Sequence, residues 1–259
     1  MISKAYLKME LSSPIIFKNK FVGKRVLIIG TGMSTKKLVK YKHKLNFDAV
    51  IGLNFSTVDF EDQITHHLIL EKNPINSYAD MIKNPNKYSK VTPRILNFKG
   101  LHRFPEYLNI VKTTRTNFDG KPNIREYRAN GCEGLLAGPR NKQGLMVGTV
   151  ALQAIHFAGI LGCKELYIAG ADLVFGKKFD HYYEDRSYRD SKGGKNKSPI
   201  IKLARGGTTY DTTEYFRDSA VYLDKVVNTM CRPAGMEVYS FSEGLLTAPI
   251  KLDIDKFFA

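Results

Sequence analysis

The run Asp180-His181-Tyr182-Tyr183-Glu184-Asp185 brings together groups suited to proton transfer beside a phosphate. Histidine titrates near neutrality, so His181 is a candidate general base. Tyr182 or Tyr183 could offer a hydroxyl to a phosphate oxygen. An exposed loop histidine bonded only to its neighbours would leave the same trace in the sequence. A short loop upstream, the apolar run Glu165–Ala169 ends in Gly170-Ala171-Asp172. In open α/β sheets ligands bind outside the carboxyl ends of the strands, which makes Asp172 a second candidate for chemistry. It could equally cap the loop after its strand. Downstream, the basic segment Arg186–Arg205 carries Lys192, Lys195, Lys197 and Lys202, enough positive charge to close over a pyrophosphate and neutralise it.

A second constellation lies near the amino terminus. Gly30-Thr31-Gly32-Met33-Ser34 follows the apolar run Arg25–Ile29 and precedes a basic, helix-like segment, Thr35–Lys44. Glycines in such a turn let the backbone approach a ligand, and the next helix offers N–H groups to a phosphate. Ser34 is placed to be the helix N-cap. As a dinucleotide fingerprint the turn is incomplete, because Thr35 stands where a third glycine would seat the helix on the sheet. The second strand, Ala49–Leu53, ends in Asn54 rather than in the acid that binds a nicotinamide ribose. NAD is therefore disfavoured, while a neutral amide at that rim suits another nucleotide's ribose or base. The chain contains no Walker sequence and no Gly-x-Ser-x-Gly elbow.

The elements that must position these groups alternate. Strands are expected at Arg25–Ile29, Ala49–Leu53, His67–Leu70, within Val91–Phe98, at Glu165–Ala169 and at Met236–Ser240. Helices are expected at Thr35–Lys44, Asn76–Lys83, along the apolar stretch that opens at Gly148-Thr149 and stops at Gly162, and at Thr212–Thr229. The polar segment Lys99–Lys142 has no clear periodicity, and Asp190–Gly207 is composed like a mobile loop. The reading is an α/β protein with a Rossmann-like, mostly parallel sheet and helices on both faces. It forms a single domain over residues 1–259, with its core at about 22–250 and a lid at about 176–207. His156, inside the apolar helix, reads as a core residue, and His66 and His67 as structural members of a strand.

Composition narrows the classes further. A chain of 259 residues with 43% apolar residues is long enough for a full core. No run approaches a membrane-spanning length, no signal-peptide core opens the chain, and a cytoplasmic location is the expectation. Cys132, Cys163 and Cys231 have no metal-ligand spacing, and neither a disulfide nor a zinc site is expected. The net charge is +15, and residues 1–44 hold eleven Lys or Arg against the single acid Glu10. Such a surface fits an anionic membrane, an acidic or phosphorylated small molecule, or simply solvent. No nucleic-acid-binding signature accompanies it, so nucleic acid is not expected as a partner.

Val26-Leu27-Ile28-Ile29-Gly30-Thr31-Gly32-Met33-Ser34 and Gly52-Leu53-Asn54 resemble the opening of the family 42 bacterial sialyltransferases. They also resemble the related DUF115 group, which includes motility-accessory glycosyltransferases and archaeal hydroxymethylpterin diphosphokinases. Gly148-Thr149-Val150-Ala151, Leu161-Gly162-Cys163-Lys164-Glu165-Leu166 and Gly170-Ala171-Asp172-Leu173 resemble that group's central motif, and Thr212–Val227 with Ser242-Glu243-Gly244 its ending. Thr31 stands where the sialyltransferase turn usually has Asn, and no histidine follows His181, so the DUF115 branch fits better.

The resemblance implies a glycosyltransferase that moves a sialic or nonulosonic-type sugar from a CMP-activated donor, without a metal cofactor. Gly30, Thr31, Gly32 and Ser34 would line the phosphate loop, Asn54 would contact the nucleotide, and Gly148 and Thr149 would turn beneath it. Asp172 would face the sugar or pyrophosphate. His181 is the candidate base, and Tyr182 and Tyr183 the candidate phosphate donors. A glycan or lipid-linked acceptor fits, with peripheral contact at the inner membrane face and a homo-oligomer both compatible. The alternative is a magnesium-dependent hydroxymethylpterin diphosphokinase, in which Asp172 and Glu184 or Asp185 would hold the ion.

Overall fold

A computed structural model describes residues 19–60, 63–68, 149–175 and 199–259. The expected strand within Val91–Phe98, the expected helix Asn76–Lys83 and the segment Lys99–Lys142 lie outside these residues, as does the lid up to residue 198.

Three short apolar runs form the centre of the sheet because they are buried on both faces. Strands β1 (Arg25–Ile29), β2 (Ala49–Leu53) and β4 (Glu165–Ala169) start and stop where the sequence places them. Strand β3 is His66–Leu68, β7 is Glu237–Ser240, and β8 is the short edge strand Ile250–Lys251. Their spatial order is β3-β2-β1-β4-β7-β8, and every pairing is parallel. Among the described residues this is, in chain order, the 3-2-1-4-5-6 arrangement of doubly wound nucleotide-binding sheets, with the order reversing between β1 and β4.

Side-chain alternation sorts the core into two layers. Val26, Ile28, Ile51, Leu166, Ile168 and Val238 face one side. There they meet α3 (Val150–Leu161) and α4 (Glu214–Val226). Leu27, Ile29, Val50, Tyr167 and Ala169 face the other. Against them pack Leu38 of α1 (Thr35–Val39), Phe60 of α2 (Thr57–Phe60), and Ile254 of α5 (Ile254–Phe257). Helix α3 is buried almost all round, which explains its lack of an amphipathic stripe. Thr149 caps its start by accepting from Ala151 N at 3.2 Å, and Gly162, at φ 78°, ends it in the left-handed conformation. His156 sits in this layer at 4% exposure, and burial lowers its pKa to about 4. His66 packs edge-on between Phe21 and Phe157. Both histidines are core residues, as expected.

Two elements differ from the sequence reading. The expected helix Thr35–Lys44 ends at Val39 and is followed by a separate tight turn, Lys42–Lys44. More consequentially, the loop-like composition before Gly207 and the first residues of the expected helix Thr212–Thr229 are an antiparallel hairpin. Strand β5 (Ile200–Arg205) pairs with β6 (Thr208–Thr213) across Gly206-Gly207. Both glycines have positive φ, 57° and 78°, the geometry of the tight turn whose twist matches the strands. Helix α4 then starts at Glu214, with Thr213 as its cap.

Candidate functional site

Three loops leave the carboxyl ends of β1, β4 and β7, and they interlock. The first is Gly30–Ser34, the second Gly170–Leu173, the third Phe241–Leu246. Gly30 N donates to Ala169 O at 2.7 Å and Gly32 N to Gly170 O at 2.9 Å, so the β1 turn lies directly on the β4 loop. Glycine is required here for packing. A Cβ on Gly30 would lie 2.8 Å from the Gly170 carbonyl carbon, and one on Gly32 would lie 2.5 Å from Asp172 Oδ2. Gly170 itself has φ +70°, and a Cβ on it would run into Thr35 Oγ1.

Asp172 is the centre of the junction. It is 4% exposed. Its Oδ2 accepts from Ser34 N at 2.8 Å and its Oδ1 from Ser34 Oγ at 2.5 Å, while Ser34 Oγ also accepts from Gly170 N at 3.2 Å. Burial pushes the Asp172 carboxyl above the usual carboxylate range, and the two bonds from Ser34 pull it back down. Its carbonyl accepts from Leu245 N at 2.9 Å, which ties in the β7 loop. The next residue, Leu173, has φ 57°, a conformation that costs a branched side chain about 1–3 kcal/mol. Its carbonyl is held by Thr212 Oγ1 at 2.8 Å, so the hairpin helps to fix the strained residue.

The β7 loop contributes Ser242-Glu243-Gly244. Ser242 Oγ accepts from Ala171 N at 3.0 Å, and the Ser242 carbonyl accepts from Lys251 Nζ at 2.6 Å. Tyr210 of the hairpin donates to the Glu243 carbonyl at 3.1 Å. Glu243 itself points outward and pairs with Lys37 of α1. On the far side of the hairpin, Arg205 is bound to Asp224 and Thr247 at 2.8 and 2.7 Å.

The site residues expected from sequence fall into three groups. Gly30, Gly32, Ser34 and Asp172 come together as one contact. Ser34 stands at the N-cap position of α1, as expected, but its side chain makes no capping bond. Its backbone is already helical, at φ -61° and ψ -24°, and its hydroxyl is engaged by Asp172 instead of a helix N–H. Asp172 is directed into the protein at Ser34 rather than toward a ligand. Thr31 lies partly exposed on the turn. Asn54 ends β2, one strand away, at φ 48°, a left-handed conformation that Asn accepts more readily than most residues. Thr149 caps α3, which runs back antiparallel to the parallel strands, so its start lies at the same carboxyl edge of the sheet. Gly148, His181, Tyr182 and Tyr183 lie outside the described residues.

The N–H groups of the first turn are mostly taken within the protein. Gly30, Gly32 and Ser34 donate to the β4 loop, and Thr35, Lys36 and Lys37 donate to Gly32, Met33 and Ser34 carbonyls. The turn therefore forms a rigid floor, and charge on a ligand above it would have to be met by side chains. Arg205, expected among the neutralising residues, is committed to Asp224. Sequence reasoning missed Lys37, Lys251 and Tyr210, and gave Ser242-Glu243-Gly244 no structural task. Among the described residues no group of three His, Cys, Asp or Glu is placed to hold a metal ion, and no helix is long and apolar enough to cross a membrane.

No protein-family model and no curated protein matches the chain. Among solved structures, the sialyltransferase CstII from Campylobacter jejuni, in complex with a substrate analogue, cytidine-5'-monophosphate, is similar at 17% identity and a TM-score of 0.47. The match covers 89% of this chain and 85% of that one.

Proposed function

We propose that this chain is a metal-independent glycosyltransferase that passes an acidic sugar, of the sialic or nonulosonic type, from a CMP-activated donor to a glycan or protein acceptor. The observation that carries the reading is the junction of strand ends at the β1/β4 reversal, where doubly wound sheets take nucleotides. The Ser34–Asp172 contact holds the two loops in one arrangement, so a nucleotide would meet a surface already formed. The choice of cytidine and of an acidic sugar rests on the motif resemblance at Val26–Ser34, Gly148–Leu173 and Ser242–Gly244.

In this reading the phosphate lies over Gly30, Thr31 and Gly32, and Asn54 meets the ribose or base. Gly148 and Thr149 bound the nucleotide from the start of α3. Asp172 acts through Ser34 as a positioning residue. His181, on the chain that continues from the β4 loop, takes the proton of the acceptor hydroxyl. Tyr182 or Tyr183 bonds the leaving phosphate. The basic surface favours an anionic donor and a lipid-linked acceptor at the inner membrane face, approached from the cytoplasm.

Ligand-induced stabilisation tests the reading. CMP without metal should raise the melting temperature, and ATP with magnesium should not. The reverse pattern would favour the diphosphokinase, and no shift with either would remove the support for both. With a CMP-linked sialic acid as donor, His181→Ala should abolish transfer and keep CMP affinity within a fewfold of wild type. Gly32→Val should abolish CMP binding by driving the turn off Asp172.

A further inference from the structure

Lys37 and Glu243 form an ion pair between elements far apart in sequence, one on the helix after β1 and the other on the loop after β7. Strand β4 lies between β1 and β7 in the sheet, so the pair links the elements that follow the carboxyl ends of β1 and β7 on either side of β4, with Asp253 and Asp255 also facing Lys37. The two side chains are 48% and 66% exposed. An ion pair in water adds little stability, so a stronger anion can displace one partner readily.

The backbone under Glu243 is held far more firmly than its side chain. Ser242 bonds to Ala171 N, Ser240 Oγ and Lys251 Nζ, the Glu243 carbonyl accepts from Tyr210, and Leu245 N bonds to Asp172 O. A Cβ on Gly244 would lie 2.6 Å from the Asp172 Cα. The junction thus fixes where the carboxylate is presented, and presents it to a lysine at the mouth of the strand-order reversal. The floor below offers few free N–H groups, because those of Gly30, Gly32, Ser34, Thr35, Lys36 and Lys37 are bonded within the protein. A phosphate at this mouth gains most from a side-chain cation; among the described residues Lys37 stands beside it on α1, while Lys251 is bonded to the Ser242 carbonyl.

We infer that Lys37 is the phosphate-binding cation of this site and that Glu243 is its stand-in anion, displaced when a phosphorylated ligand arrives. A phosphate monoester such as that of CMP, or pyrophosphate, carries more negative charge than a carboxylate and offers more acceptor oxygens, so it wins the exchange. Glu243 therefore lowers affinity for these anions, and an uncharged ligand such as cytidine gains nothing from Lys37. The inference deepens the nucleotide-site reading and rests on it for location.

The test is calorimetric binding of CMP, cytidine and inorganic pyrophosphate to the full chain, its Lys37→Gln and Glu243→Gln forms, and the double variant. Lys37→Gln should weaken CMP and pyrophosphate by about tenfold, the usual loss when a charge-assisted bond to an anion is removed. Glu243→Gln should tighten both by about threefold to fivefold, the effect of removing a competing exposed pair. The double variant should bind like Lys37→Gln alone, and cytidine should not distinguish the four proteins. Both side chains are exposed, so all four should melt alike. Unchanged or weaker CMP binding by Glu243→Gln overturns the inference, as does full-strength binding by Lys37→Gln; either result leaves the nucleotide reading standing. Lys37-dependent pyrophosphate binding without any nucleotide binding would sink that reading and keep this one. If wild type binds neither CMP nor pyrophosphate, both fall.

Discussion

Two Gly→Ala substitutions should move stability in opposite directions. Gly244 sits against the Asp172 backbone, where a Cβ would lie 2.6 Å from Cα and closer still to the carbonyl. Neither side of that contact can yield by rotating a side chain. The β7 loop must back away, which breaks the Leu245 N to Asp172 O bond of 2.9 Å. Overpacking costs about 1–3 kcal/mol and the lost bond about 1 kcal/mol, together about 2–4 kcal/mol. At roughly 2–4 °C per kcal/mol for a chain of this size, Gly244→Ala should melt about 5–15 °C lower. Gly159 lies on the outer surface of α3, and its nearest neighbour to an added Cβ is Met236 Cε at 3.7 Å. Here alanine only removes the helix cost of glycine, so Gly159→Ala should gain roughly 0.5–1 kcal/mol. Thermal melts followed by circular dichroism, with urea titrations alongside, measure both. A Gly244→Ala protein that melts within a degree or so of wild type would refute the claim that backbone contact selects this glycine. An equal fall for Gly159→Ala would show that the effect is generic.

Three further outcomes follow from burial. His156 has its folded pKa lowered to about 4 from 6.5, so the unfolded chain binds the extra proton first. Stability from this group is complete above the unfolded value and is lost as pH falls through that window, on the order of 3 kcal/mol in all. His156→Gln should flatten that slope in urea titrations, and an unchanged slope would show that the imidazole does not stay neutral. Asp172 has the opposite sign: its folded pKa is raised above the ordinary 3.8, so its contribution is present below that value and lost as pH rises through the folded pKa. Asp172→Asn should therefore steepen the gain of stability as pH rises above the ordinary carboxylate value, and a shallower profile would contradict the burial argument. Burial pushes the Cys163 and Cys231 thiols up to about 12 and about 11. A thiol reagent at mildly alkaline pH should leave both unmodified in the native protein and label them once urea unfolds it. Rapid native labelling at either position, located by peptide mapping, would show that the α3–β7 layer opens.

What the sequence made legible follows from how much of each signal is local. Strands β1, β2 and β4 are buried on both faces, so each is a continuous apolar run, and glycines mark several of its ends. The alternation of strands and helices points to a parallel sheet, but the reversal of strand order between β1 and β4 has no local signal and comes only from the structure. The hairpin was missed although Gly206-Gly207 between Thr-rich and apolar runs is a hairpin signal. Lysines and glycines upstream gave the whole stretch a loop-like composition, and its half-exposed strands have no continuous buried apolar run. Ser34 illustrates a different limit. Its position before a helix favours a cap, but its actual partner is 138 residues away. No local pattern encodes that choice, and the same holds for Lys37 and Glu243, which are 206 residues apart.

The glycines of the first turn are the point at which sequence and structure assign different causes to the same residues. A Gly-x-Gly turn after a strand is ordinarily read as room for a ligand's phosphate. Here the space that a Cβ would fill at Gly30 and Gly32 holds Gly170 and Asp172. The glycines are required whether or not a nucleotide binds, so the turn alone cannot distinguish a binding protein from an empty scaffold. The distinction moves to groups that scaffolding does not require. Glu243 keeps an exposed carboxylate on a backbone fixed by several bonds, facing a lysine. Packing explains the first set of residues completely and the second set not at all, so it is in the second set that substitution should change binding without changing the fold.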